Sequence, residues 1–144
     1  MHFLTIVLLL FSSFQAQDHV NKKNGIGIQG YDPVAYFTGE NALKGSKEVS
    51  TNYQGTTYFF GSEENKAKFS NDPDRFLPQY GGWCAYAIGD TGDKVKIDPD
   101  TYKILNGKLY LFYNFRGTNT LEYWNDDEAN LLAKAEQNWR QIIN

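Results

Sequence analysis

The chain has one cysteine, Cys84, and two histidines, His2 and His19. A single cysteine forms no internal disulfide, so no covalent staple closes this fold. It also leaves no C-x-x-C pair for dithiol redox work or for half of a zinc ribbon. Two histidines, one of them the second residue, give no basis for a multi-histidine zinc site or a Ser–His–Asp triad. No N-x-[ST] glycosylation acceptor occurs. A basic excess is missing too: 14 Lys and Arg stand against 17 Asp and Glu, a formal net charge of −3. Nucleic-acid-binding domains carry a basic patch or stripe, so no nucleic acid is expected as partner. No apolar run is long enough to span a bilayer, which takes about 20 residues.

What the chain does have begins with the short apolar run "FLTIVLLLF" at 3–11. Followed by "SSFQAQ", it fits the core of a secretory signal peptide, with cleavage after Ala16. The chain is therefore expected to be exported, to a periplasm or beyond the cell. Residues 1–16 carry no Asp, Glu, Lys or Arg, so the whole charge of −3 stays with the mature chain. Residues 17–29 are expected to be a flexible leader, and residues 30–143 one domain. Aromatics make up 16% of the chain, including ten Tyr. A small domain can build its core from such large side chains.

"GIGIQG" at 25–30 is a formal match to G-x-G-x-x-G. A dinucleotide site needs a strand before that motif and a helix opening from it. Here a polar stretch precedes it and Tyr31-Asp32-Pro33 follows, so it is taken as a bend into the domain. "YDPVAYF" (31–37) predicts a short helix, with Asp32 at the N-cap and Pro33 at the first helical position. "KEVSTNYQGTTYFFGS" (47–62) reads as a β-hairpin around Gln54-Gly55. Ser62 caps a helix over 63–70, and "PDRF" starts a further helical turn. "KVKIDPD" (94–100) is a short strand. "YKILNGKLYLFY" (102–113) is the clearest hairpin, with Asn106-Gly107 at its turn. "TLEYWND" is a helix candidate. The last helix is predicted over 126–142, with Asn125 and Glu128 at capping-box spacing and Leu132, Ala135, Trp139 and Ile142 on one face. The order gives an α+β domain with antiparallel hairpins, several short helices and a C-terminal helix.

The chemistry centres on "PQYGGWCAYA" (78–87). If Gly81-Gly82 lead into a helix over 82–88, Cys84 lies in its first turn, where a thiolate is favoured. Free cysteine is equally among the most buried residue types, a small hydrophobe. No Lys, Arg or His lies within five residues to activate it. Asp90, Asp93, Asp98 and Asp100 miss the EF-hand spacing and read as turn formers.

Taken together, "GYDPVAYF" (30–37), "YFFGSEENKAKFSNDPDRFLPQYGGWCAYA" (58–87), "GKLYLFYN" (107–114) and "AEQNW" (135–139) resemble exported proteins of the YHS-domain family. The resemblance implies a small α+β module, treble-clef-like, in a family where several members are thought to bind or sense metals such as copper. In the metal-binding versions a Cys follows Asp-Pro-Val; here that position is Ala35. A further cysteine near the start of the helix after the aromatic strand is also absent, Ser62 to Phe69 having none. The branch most resembled keeps a QYGGxCA element, and some relatives there carry selenocysteine at the position of Cys84.

Two readings follow. In the first, Cys84 is a redox thiol or a ligand to copper or another soft metal, with Asp32, Tyr36, Tyr80, Gly81, Gly82 and Trp83 as pocket neighbours. One cysteine per chain then requires a second chain, a partner protein or an oxygen ligand to complete the site. In the second, the chain is a non-catalytic accessory domain for a small molecule or protein, with Cys84 buried as core. Turnover has little support, for there is no base, acid pair or cofactor motif.

Overall fold

The computed structural model describes residues 18–38 and 41–144. The apolar run and the expected cleavage point lie outside them. Strands β1 (Lys22–Lys23), β2 (Ile26–Gly27), β3 (Ser46–Tyr53) and β4 (Thr56–Phe60) form one sheet in the order β1-β2-β4-β3. The β3–β4 hairpin turns at Gln54-Gly55, as the sequence predicts. The leader expected over 17–29 is instead part of the fold from Asp18 onward. β2 pairs parallel to β4, the Thr57 amide donates to the Gly25 carbonyl at 2.8 Å, and Ile28 is buried. Two-residue strands are held by backbone bonds, which leave no side-chain periodicity to detect.

The helix expected over 31–37 is a single 3₁₀ turn, Ala35–Phe37. The cap position is Val34 and not Asp32, but Asp32 Oδ1 still holds the entry to the turn by accepting from the Val34 and Ala35 amides at 2.8 and 3.2 Å. Ser62 caps α1 (Glu63–Asn71) through the Asn65 amide, and α2 (Pro73–Phe76) follows. After a short irregular turn at Gln79–Gly82 come α3 (Ala85–Asp90), β5 (Asp98–Leu105) and β6 (Lys108–Phe112). The strand predicted over 94–100 starts only at Asp98. Its first residues loop away from β6: Asp98 pairs with Phe112 but Tyr102 with Leu111. Asp98 holds that loop by accepting from the Asp100 amide and the Thr101 hydroxyl. The hairpin turn is left-handed at both Asn106 (φ 51°) and Gly107 (φ 74°), the geometry an Asn-Gly pair tolerates best.

β7 (Asn114–Phe115) and β8 (Thr118–Asn119) make a small ribbon, and α4 (Thr120–Asp126) and α5 (Glu128–Ile143) close the chain. The capping box expected from Asn125 and Glu128 does not form. Asp127 occupies the cap position, while Asn125 and Glu128 both receive the Lys103 ammonium. Asn125 is taken up in α4, which runs on to Asp126, so it is not placed to cap α5.

β6 is the centre of the fold. Leu109 and Leu111 face a core with Phe60, Phe69, Tyr36 and Cys84. Tyr110 and Phe112 face a second core with Trp124, Ile88 and Ala135. A strand buried on both faces reads as a continuous apolar run, which is what "LYLF" is.

Candidate functional site

Cys84 lies at the cap position just before α3, not inside its first turn, and its side chain makes no capping bond. The side chain points into the first core and is 0% exposed. Sγ accepts from the Tyr113 amide at 3.3 Å and lies 3.4 Å from Thr120 Oγ1. The Thr120 hydroxyl spends its one proton on the Tyr113 carbonyl at 2.7 Å. The thiol proton is therefore the donor in the Cys84–Thr120 contact. All three groups are satisfied with the thiol protonated.

The residues expected to surround Cys84 in a pocket are committed to framework bonds. Asp32 is fully buried, and its Oδ2 accepts from the Gly61 amide and from Asn65 Nδ2, both at 2.8 Å. It ties the 3₁₀ turn to the β4–α1 junction. Tyr36 donates to the Pro99 carbonyl at 2.7 Å and Tyr80 to Glu136 Oε1 at 2.8 Å. Burial holds both phenols above their ordinary range, and at Tyr80 the Glu136 carboxylate adds to it. Gly81, Gly82 and Trp83 lie beneath the N-terminal segment. The Gly81 carbonyl accepts from the Asn21 amide, the Gly82 carbonyl from Asn21 Nδ2, and Trp83 Nε1 donates to the His19 carbonyl at 2.7 Å. Gly81 and Gly82 border only a small cavity of about 50 Å³ beside Pro78 and Tyr58.

A larger concave feature lies elsewhere. An open groove of about 600 Å³ is floored by Ile26, Ile28, Phe59, Ile97 and Phe115. Its polar members are Asn21, Asn24 and Gln29, and its charged members are Lys22, Lys23 and Lys96. The size falls in the range of small-molecule sites, about 300–1,000 Å³. β4 explains part of the floor. Thr56, Tyr58 and Phe60 point into the core, so Phe59 points out of the opposite face. The backbone beside it is unusual. Ile28 and Gln29 both have positive φ, 50° and 52°, which for a β-branched residue is strained. The Gln29 amide holds the bend by donating to the Ile97 carbonyl at 3.0 Å.

Electrostatics set the groove apart. No lining residue is acidic, although the chain carries a net charge of −3. Lys22 pairs with Asp18. Among the described residues Lys23 and Lys96 have no carboxylate partner. Lys96 Nζ instead sits 4.7 Å from the centre of the Phe115 ring. In the sequence these residues are spread over an expected leader, a bend, a hairpin strand, a short strand and the stretch after the last hairpin. Their one signal was Lys-Lys and "KVKI" in a chain without a basic excess. Nothing in the sequence brings positions 23, 59, 96 and 115 together.

The family model for the YHS domain matches residues 34–80, from the 3₁₀ turn through α2 to Tyr80. No curated protein and no solved structure matches the chain. The matched segment contains neither cysteine nor histidine, and it ends four residues before Cys84. Among the described residues no group of three or more His, Cys, Asp or Glu is arranged to hold a metal ion. The surroundings of Cys84, a hydroxyl and a backbone amide, are not a soft-metal donor set. The described residues do not fit a copper site within one chain.

Proposed function

We propose that this chain is an exported, non-catalytic binding module built on a YHS domain, with Cys84 as a core residue and the Lys-rimmed groove as its working surface. The observation that carries this reading is the contrast between the two places. Cys84 is sealed and fully hydrogen-bonded, whereas the groove is open, apolar at its floor and polar at its rim. Strained backbone at Ile28 and Gln29 supports it, because such conformations collect at ligand clamps. Export rests on the apolar run at 3–11 and the following "SSFQAQ".

Two measurements on the same protein test the reading. A fragment set titrated against the isotopically labelled chain is expected to shift the resonances of Ile26, Phe59, Ile97 and Phe115 and leave Cys84 unmoved. Alkylation of Cys84 is expected to proceed only as fast as the chain unfolds. Rapid alkylation of the folded protein, or ligand shifts centred on Cys84, would return the assignment to a reactive thiol.

A further inference from the structure

We infer that the groove takes a small amphipathic anion, a molecule with a carboxylate or comparable acidic head and an apolar body. The inference rests on the groove being the working surface and adds the chemical class of its ligand. Three observations point the same way. The floor is apolar, with Ile28 and Ile97 buried and Ile26, Phe59 and Phe115 half-buried, so it rewards a ligand that brings hydrocarbon or an aromatic ring. The exposed rim offers the Lys23 and Lys96 ammonium groups, neither held by a carboxylate among the described residues. No acidic side chain lines the groove to repel an anion or to recruit a cation.

The geometry at Lys96 gives the arrangement its direction. Its ammonium rests over the Phe115 ring, so it is held at the meeting line of floor and rim. A ligand whose apolar body lies against Phe115 and Phe59 brings its head to this cation. Gln29 and Asn21 contribute less, since their amides are spent on the Ile97 and Gly82 carbonyls. The charge is local: the chain as a whole carries −3, groove lysines included, and would repel an anion at long range. The head must therefore reach the lysines closely, and binding must weaken as salt rises.

Decanoate and its neutral analogue decanol serve as probes, titrated into the labelled full chain and followed at groove resonances. Decanoate is expected to bind more tightly than decanol, with an affinity that falls as salt is raised. The double variant Lys23→Gln, Lys96→Gln is expected to lose about three- to tenfold for decanoate and to leave decanol unchanged. Phe115→Ala is expected to weaken both probes. Equal affinity for the two probes, or a double variant that binds decanoate as the parent does, would overturn the anionic class and leave the groove standing as a neutral site. Shifts absent from Ile26, Phe59 and Phe115 with either probe would overturn the groove itself. Unchanged spectra away from the groove confirm that the variants fold.

Discussion

Replacement of Asp32 separates framework from function most sharply, because its sequence context marks it as a candidate pocket residue. Its carboxylate is fully buried and accepts four bonds: Val34 and Ala35 amides on Oδ1, the Gly61 amide and Asn65 Nδ2 on Oδ2. Among the described residues no cation pairs with it. The four donors alone hold the charge. In Asp32→Ala three backbone amides lose their acceptor at once. Val34 and Ala35 are buried, and each orphaned donor there costs about 1–3 kcal/mol, whereas the amide of the exposed Gly61 can turn to water, so a loss of about 3 kcal/mol or more is expected. Against a total stability of about 5–15 kcal/mol, that brings the protein near its unfolding threshold. Asp32→Asn keeps the volume and one acceptor oxygen. Its NH₂ is best turned toward Asn65, whose own amide can flip to accept from it. Only the amide of the exposed Gly61 then lacks its acceptor, and the expected cost is about 1 kcal/mol. Urea unfolding measures both, with unchanged slope certifying an unchanged cooperative unit. An alanine variant that loses less than about 1 kcal/mol would refute the framework role, since not even one orphaned donor could then be counted.

Three further outcomes follow from the same geometry. Gly81 has φ +63°, and a Cβ there would lie 2.5 Å from the His19 carbonyl oxygen, whereas one at Gly82 meets only the Pro78 ring at 3.2 Å. Gly81→Ala is expected to cost about 2–3 kcal/mol, against about 1 kcal/mol at Gly82, and to expose the Asn21 amide to hydrogen exchange; equal costs would show that the N-terminal segment is not clamped there. The Lys103 ammonium, and then the Trp124 indole, hold the Glu128 carboxyl below its usual range. Its stabilisation is present above the unfolded value and lost as pH falls through the lowered folded one. Glu128→Gln should therefore cost about 0.5–1 kcal/mol at pH 7 and nothing in strong acid, and a cost independent of pH would contradict the ion pair. Burial pushes the Tyr58 phenol up to about 12, and Tyr36 and Tyr80 are also raised. Their stabilisation is complete below the unfolded phenol value of about 10 and lost as pH rises through the folded ones. Phenolate absorbance from these rings is expected to appear together with unfolding above pH 10, and ionisation of all three in a still-folded chain would count against their burial.

Much of the framework was legible in the sequence because it is local. Asn106-Gly107 and Gln54-Gly55 mark their hairpins through backbone conformations that few residue pairs accept. Ser62 and Asp32 mark helix starts through side-chain oxygens that reach amides two or three residues on. The apolar run "LYLF" marks a strand covered on both sides. What failed in the sequence failed where a distant partner decided the outcome. α4, anchored in the core by Trp124, runs on through Asn125 and takes the residue that a capping box with Glu128 would need. β4 recruits residues 26–27 by backbone bonds alone, turning an expected leader into sheet.

The sequence by itself determined that this is a small α+β domain with no internal disulfide, and that its hairpins turn where they do. Only the tertiary structure decided the fate of Cys84 and the existence of the groove. Whether a thiol is a nucleophile or a core atom depends on what covers it, and its covers, Tyr113 and Thr120, lie 29 and 36 residues away. Phe59, Lys96 and Phe115 stand on separate segments, each with an ordinary local role. Their meeting is set by how β4, the segment before β5 and β7 come together in space, and packing between segments distant in the chain leaves no periodic trace along it.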